Sequence, residues 1–389
     1  MTAPHDMNAR PDMNALANDA FRADIRAWIE ATYPPALRNP SKRLHLRDNW
    51  PWYKALSDRG WIAQGWPREY GGMGLSAEKQ VIWTEEIERH GCARLNDHGI
   101  TMLGPLLIRY GTDAQKAQFL PRILTGEHIW CQGYSEPGAG SDLAALRTKA
   151  ERDGDDWVIN GQKIWTTMAN DANWVFLLVR TDATGKKQDG ISFLLVPMDA
   201  PGVTVRPILN LEMHDEFCEV FFDNVRVPAD HLVGEVNKGW SMAKALLGFE
   251  RIFLGSPRQA AYALARLADL GRHLRVSDDP LFRDMLSRHN LDLENHKALF
   301  AAFLRAISRG RPVGPEISLL KISQSELFQR ITDDMMALAG PMAGHVEALD
   351  GGMLNPSAQF LQARPATIYG GSSEIQRNII AKAVLGLPS

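Results

Sequence analysis

Between residues 157 and 227 the chain breaks into six short β-type runs: Trp157–Ile159, Lys163–Thr167, Trp174–Val179, Ile191–Val196, Val203–Ile208 and Glu219–Val227. The sequence on either side keeps a helical period. Phe21, Ile25, Trp28 and Ile29 fall at the i, i+4, i+7, i+8 spacing of one buried helix face, and Met242, Leu246, Phe249 and Phe253 form a similar stripe beyond Gly239. A period of 3.6 does not suit a strand, nor a period of two a helix, so the switch implies a β unit between helical ones. Asn160-Gly161 between the first two runs predicts a hairpin turn. Trp66-Pro67 and Gly71-Gly72-Met73-Gly74 punctuate the N-terminal helices. The expected division is a helical domain over 1–128, a β domain over 129–238 and a helical bundle over 239–389, a length that accommodates three cores.

Composition narrows the function. With 43 Lys and Arg against 46 Asp and Glu, the net charge of −3 supplies no basic face for nucleic acid. Cys92, Cys131 and Cys218 are odd in number and too dispersed for a C-x-x-C site, so neither a disulfide framework nor a metal is expected. A reducing cytosol fits this usage. The first residues carry Asp6, Asp12 and Asp19 without an apolar stretch, which argues against a signal peptide, and no apolar run approaches membrane-spanning length.

Three segments carry chemistry. The first, Gln132-Gly133-Tyr134-Ser135-Glu136-Pro137-Gly138-Ala139-Gly140-Ser141-Asp142, offers backbone N–H groups and hydroxyls on a glycine-rich loop. The second, Asn160-Gly161-Gln162-Lys163-Ile164-Trp165-Thr166-Thr167, adds an aromatic wall and two hydroxyls. Together they suit a flat, polar cofactor. Gly138-Ala139-Gly140-Ser141-Asp142-Leu143 lacks the third glycine of a dinucleotide fingerprint and no βαβ unit surrounds it, so a Rossmann fold is not expected. The third is Ile368-Tyr369-Gly370-Gly371-Ser372-Ser373-Glu374-Ile375-Gln376-Arg377, where Ser373 and Gln376 read as a capping box and the helix start as an anion site.

These three segments, in this order and spacing, resemble the signature motifs of the acyl-CoA dehydrogenases, and the resemblance covers essentially the whole chain. It implies an α+β, mostly α fold with an N-terminal helical domain, a β-barrel-like middle domain and a C-terminal four-helix bundle. It also implies non-covalent FAD. Tyr134, Ser135, Trp165, Thr166 and Thr167 would lie along the flavin ring, with Ser135 and Thr167 donating to its polar edge. Gly140, Gly371, Ser372 and Glu374 would touch the cofactor, and Ser141 would sit near the phosphates of FAD or CoA. The N–H of Gly370 would hydrogen-bond the thioester carbonyl together with a flavin ribityl hydroxyl.

Two departures matter. Most well-known members carry a glutamate where this chain has Gly370, and that glutamate removes the substrate's α-proton. The replacement candidate is Glu250 in Ala245-Leu246-Leu247-Gly248-Phe249-Glu250-Arg251-Ile252-Phe253-Leu254. On a helix its i±3 and i±4 neighbours are Leu246, Leu247, Phe253 and Leu254, none of them a counterion, so burial would raise its pKa toward that of a general base. Glu250 matches the base position of isovaleryl- and long-chain-type members, and Arg251 matches a family arginine near the CoA part of the substrate. An inter-helix ion pair for Glu250 and a packing role for Arg251 are the competing readings. The second departure is at Leu274-Arg275-Val276-Ser277-Asp278-Asp279-Pro280-Leu281-Phe282-Arg283, which lacks the R-x-x-F-G pattern that reaches a neighbouring subunit's FAD in many members.

The expected activity is therefore oxidation of an acyl-CoA to a trans-2-enoyl-CoA, with electrons passed to an electron-transferring flavoprotein. The Gly-Gly form of the last motif looks similar to bacterial members acting on bulky or dicarboxylic thioesters, such as the large chain of pimeloyl-CoA dehydrogenase. A homo-oligomer, dimer or tetramer, is one expected assembly. An α2β2 heteromer whose partner completes the FAD site is the other. A flavin-binding relative of the DNA-protecting type would need a basic patch and a longer C-terminal domain, and a monooxygenase on this fold is a further alternative.

Overall fold

The computed structural model describes residues 11–388 except 41, 310, 312, 313, 350 and 351; the side chains of 247–253, 308, 347–349, 352 and 353 are also outside the described set. The chain divides into two compact units, one comprising residues through Leu37 with Arg43–Leu247, the other Arg38–Lys42 with Gly248 onward.

In the first unit, α1 (Asn18–Thr32), α2 (Leu46–Arg59), α3 (Ala77–His90), α4 (Gly104–Tyr110) and α5 (Asp113–Thr125) precede the sheet. Phe21, Ile25 and Ile29 are fully buried, as their spacing predicts, while Trp28 is partly buried and packs against Trp52 and Trp61. Glu86 on α3 is clamped by three arginines, Arg22 and Arg26 from α1 and Arg89 one turn on, at 2.8–2.9 Å. A capping box starts α5: Thr112 accepts from the Gln115 N–H and Gln115 accepts from the Thr112 N–H. The Gln115 amide also donates to the carbonyls of Asp230 and Leu232, so the cap fastens α5 to the segment leaving the sheet.

The sheet has eight strands: β1 (Trp130–Gly133), β2 (Lys149–Asp153), β3 (Asp156–Thr167), β4 (Trp174–Arg180), β5 (Ile191–Pro197), β6 (Val203–Ile208), β7 (Phe217–Pro228) and β8 (Leu232–Val233). Their order is β6-β7-β3-β2-β4-β5-β8, with β1 parallel to β4. β4 and β5 are almost wholly buried, which fits their nearly continuous apolar runs, the polar exception Ser192 in β5 being hydrogen-bonded with Thr181 at 2.7 Å. All six sequence-predicted runs lie in strands, the first two within the single strand β3. The hairpin is elsewhere. Asn160-Gly161 lies inside the 12-residue β3, and the turn is Gly154-Asp155, with Asp153 paired to Asp156 and Gly154 at φ +60°. Asn160 instead faces an irregularity in β7, where Asn224 at φ +50° donates its N–H to the Asn160 carbonyl oxygen of the side chain at 2.9 Å. A hairpin signal is overridden here by a side-chain-stabilised bulge.

The helix α6 (Gly239–Leu254) buries Met242 and Leu246 in the first unit's core, while Phe249 and Phe253 lie outside the described side chains. The second unit continues with α7 (Arg258–His273), α8 (Pro280–Ser308), α9 (Ser318–Ala339), a small ribbon of β9 (Glu347–Leu349) and β10 (Gly352–Leu354), α10 (Pro356–Ala363) and α11 (Ser373–Ile379). Its core joins Leu264, Leu267, Phe282, Phe328, Ile331 and Met335.

Candidate active site

The two N-terminal motifs meet in the first unit, and a bulge in β3 does the work. Lys163 pairs with Val220 and Thr166 with Cys218, so β3 carries one residue more than β7 over this stretch. The surplus leaves the Ile164 N–H free of the ladder, and it donates to the Ser135 carbonyl at 2.9 Å. Trp165 adopts φ +60°, a conformation that costs a non-glycine residue about 1–2 kcal/mol. Its indole is thereby turned outward and 57% exposed, with Phe217 edge-on at 6.1 Å. Thr167 and Ser135 are half-buried beside it.

Beneath the loop lies a buried ion pair. Lys163, fully buried, donates to Glu136 Oε1 at 2.8 Å and to the Tyr134 carbonyl at 3.1 Å. Glu136 also accepts the N–H groups of Arg147 and Thr148 at 2.6 and 2.9 Å. Burial lowers the Lys163 ammonium to about 8 against the pull of Glu136. Burial acts to raise the Glu136 carboxyl, but Lys163 and the two N–H donors hold it below the usual carboxylate range. Ion pair, loop and bulge form one connected unit.

Of the residues expected along the flavin ring, two have side chains directed inward. Thr166 is 1% exposed on the strand face opposite Trp165, and its hydroxyl has no hydrogen-bond partner among the described residues. Tyr134 is buried edge-on to Phe176 at 6.0 Å. Strand alternation demands this for Thr166: with Trp165 turned out, its neighbour turns in. Gly140 and Ser141 are exposed, and a Cβ built on Gly138 or Gly140 meets nothing within 4 Å. An exposed indole, an open glycine edge on the loop that β3 holds through Ser135, and half-buried hydroxyls fit a planar polar group, so the residues present fit FAD. A concavity of about 480 Å³ lined by Glu127, His128, Trp174 and Met198 contains none of these residues.

The third motif is described within the second unit. Gly370 and Gly371 adopt φ +63° and +87°, consecutive left-handed positions that favour glycine. The cap differs from the expectation: Ser372, not Ser373, is the N-cap and accepts from the Ile375 N–H, while Gln376 donates to the Gly370 carbonyl at 2.9 Å. Gln376 therefore holds the turn rather than closing a capping box. α11 is only seven residues long, too short to argue an anion site from its N-terminus alone. Glu374 is exposed, and the Ser372 hydroxyl keeps its carboxyl below the usual range. Glu250 and Arg251 lie on α6, as expected, but their side chains are outside the described residues.

Where the R-x-x-F-G pattern is missing, the chain makes a tight helix-to-helix connection. Val276 N–H closes back on Gly271, Arg275 takes φ +60°, and Asp279 caps α8 through the N–H groups of Leu281 and Phe282. Arg283 is held by Asp278 at 2.5 Å and by the Ser277 carbonyl.

Two buried lysines escaped the sequence reading. Lys163 sat inside a quoted motif, between Gln162 and Ile164. Lys321 on α9 is 1% exposed, has no hydrogen-bond partner for its Nζ among the described residues, and is lowered by burial to about 8 with Glu374 and Glu326 opposing. The clue was a single lysine within Ile317-Ser318-Leu319-Leu320-Lys321-Ile322.

Comparison with known proteins agrees with the geometry. The chain matches the acyl-CoA dehydrogenase N-terminal domain over residues 17–127, the middle domain over 131–225 and the C-terminal domain over 237–385. It is 40% identical over 387 residues to acyl-CoA dehydrogenase IpdE1 of Mycobacterium tuberculosis (strain ATCC 25618 / H37Rv), covering 95% of this chain and 98% of that protein. It is 34% identical over 351 residues to the mitochondrial short-chain specific acyl-CoA dehydrogenase of Bos taurus, covering 85% and 82%. Among solved structures, the Tcur3481-Tcur3483 steroid ACAD superposes with a TM-score of 0.86 at 31% identity, covering 97% of this chain and 100% of that one. The ChsE4-ChsE5 complex from Mycobacterium tuberculosis gives 0.82 at 33%, covering 96% and 98%. The expected likeness to a pimeloyl-CoA dehydrogenase is replaced by likeness to IpdE1 enzymes. From three matched domains and relatives spanning its full length, the chain belongs to the acyl-CoA dehydrogenase family and is an FAD-dependent oxidoreductase.

Proposed function

We propose that this protein oxidises a bulky acyl-CoA thioester to its trans-2-enoyl-CoA and passes the electrons to an electron-transferring flavoprotein. The observation that carries the reading is Trp165, held outward at positive φ next to Ile164, whose N–H donates to the Ser135 carbonyl of the glycine-rich loop. Bound FAD supplies a hydride acceptor for the substrate's β-carbon. The chain supplies the rest. Glu250 takes the α-proton, the Gly370 N–H donates to the thioester carbonyl as negative charge develops there, and Arg251 and Ser141 bind the CoA end. With glycine at 370 no side chain occupies the place of the family's commoner base, which favours a bulky acyl group. Likeness to a protein described as a steroid ACAD points to a polycyclic one.

A second reading concerns assembly: the chain is one half of a two-chain enzyme. In the Leu274–Arg283 segment Arg283 is turned onto its own loop, and the similar structures include two described by paired chain names. Flavin content and native mass of the chain purified alone, followed by activity on a panel from butyryl-CoA to a steroid acyl-CoA, test both. Highest kcat/KM on butyryl-CoA contradicts the substrate class. Stoichiometric FAD on a self-assembled oligomer contradicts the obligate partner.

A further inference from the structure

The first unit contains a second constellation that the dehydrogenase chemistry does not use. His45 stands at the N-cap of α2, His214 and Asp215 lie in the loop between β6 and β7, and Asp171 lies in the turn after β3. His45 Nε2 is 2.9 Å from Asp215 Oδ1, and His214 Nδ1 is 3.4 Å from the same oxygen. One ligand atom from each of His45, His214 and Asp215 falls within 4.8 Å of the others. We propose that these three side chains form a binding site for a divalent transition-metal ion, zinc being the probe of choice.

The two histidine-to-Asp215 separations, 2.9 and 3.4 Å, are close to those of tetrahedral coordination. Ligand atoms about 2.0–2.1 Å from one ion lie roughly 3.3 Å apart, and two imidazoles bound to it place their ring centres about 5.2 Å apart. The rings of His45 and His214 are 5.3 Å apart at 81°. Imidazole and carboxylate donors suit zinc and its first-row neighbours.

The outer shell is built as well. The other nitrogen of His45, Nδ1, faces Asp171 Oδ2 at 3.1 Å, the carboxylate–histidine arrangement that fixes the tautomer of a metal ligand. Asp171 is itself held by the Leu46 N–H at 2.7 Å and the Asn96 amide at 3.3 Å, and Asp215 accepts from the Asn170 amide at 3.0 Å. The charge balance agrees. Around the site Asp97, Asp171, Asp215 and Glu216 face two guanidiniums, Arg43 and Arg94, which leaves two negative charges for a divalent ion when both histidines are neutral.

His214 is almost wholly buried, whereas the Asp215 carboxylate is 37% exposed, so the remaining coordination position opens toward solvent. The ligands come from two segments far apart in the chain, His45 and the adjacent His214-Asp215, which is why no local spacing announced them. A bound ion would tie the start of α2 and the β6–β7 loop to the turn directly following Trp165–Thr167. Its role is that of a clip behind the flavin wall, separate from substrate chemistry.

The test uses the untagged full-length protein, stripped with EDTA and desalted. Calorimetric titration with ZnCl2 and metal analysis should give one equivalent per chain, and Co2+ should produce the intense visible d–d bands of a tetrahedral site. His45→Gln and His214→Gln should each abolish the stoichiometric uptake, and Asp171→Asn should weaken it roughly 10–100-fold. Absence of stoichiometric uptake, or uptake unchanged in the histidine variants, overturns the site. If those variants fail to fold, the wild-type Co2+ spectrum decides: six-coordinate or absent bands overturn the proposal.

Discussion

The ammonium of Lys163 lies 2.8 Å from Glu136 Oε1, both groups buried directly under the bulge that turns Trp165 outward. This pair joins the glycine-rich loop to β3, so it governs the shape of the surface proposed to bind the flavin without itself being exposed there. Lys163→Met strands the Glu136 carboxylate and should destabilise the protein by about 3–5 kcal/mol. Adding Glu136→Gln should restore part of that loss, since a neutral amide is cheaper to bury. Urea unfolding of both variants checks this; a single variant within 1 kcal/mol of wild type, on the order of surface-pair effects, sinks the assignment.

Trp165 separates stability from cofactor binding. Trp165→Gly relieves the positive φ, worth about 1 kcal/mol, while removing the aromatic wall. Apoprotein stability should therefore hold or rise as FAD affinity falls by roughly tenfold, the scale of one lost aromatic stacking contact. Thermal melts with and without FAD, and a flavin fluorescence titration, measure the two separately. A parallel fall in both would mean that Trp165 is structural.

Gly370 sits at φ +63°, with its carbonyl held by Gln376 at 2.9 Å. Gly370→Ala should cost about 1 kcal/mol of stability through the left-handed backbone and should lower kcat. Gly370→Glu, which installs a carboxylate at the family's commoner position, carries the same backbone cost, so any rescue of a base-deficient variant should be partial. Unchanged melting temperature for Gly370→Ala would contradict the conformation.

Acid should loosen the N-terminal helices through Glu86. The hydrogen bonds of Arg26 come first among the causes that lower its carboxyl from 4.5 to about 2, with Arg89 and Arg22 adding to them against burial. The native state then binds fewer protons than the unfolded state between those values, so the contribution is present above about pH 4.5 and is lost as pH falls toward 2. With its arginines partly exposed, the expected contribution is about 1–2 kcal/mol. Glu86→Gln should flatten stability against pH across that window. An identical acid slope in the variant would show that another group is responsible.

The architecture was legible because strand alternation and helix spacing are carried by many residues at once. Phe21, Ile25 and Ile29 are fully buried as their spacing demands, and every β-type run lies in a strand, two of them sharing β3. What failed rests on single positions. Asn160-Gly161 carries a strong turn signal, yet long-range pairing with β7 absorbs it, and Gly154-Asp155 turns instead. The site was legible as motifs but not as orientations. A bulge of one residue decides that Trp165 faces out and Thr166 in, and no local pattern announces it. Lys163 and Glu136 were visible as letters, but their pairing across 27 residues is a property of the fold.

In the proposed dehydrogenation the proton acceptor is Glu250 on α6. The most direct measurement is anaerobic stopped-flow reduction of the bound flavin by a bulky acyl-CoA, comparing wild type with Glu250→Gln at equal FAD occupancy. Loss of the base should slow flavin reduction by roughly 10²–10⁴-fold while FAD stays bound. Reduction at a near-normal rate in the variant would contradict the account and place the base on another residue or on a partner chain.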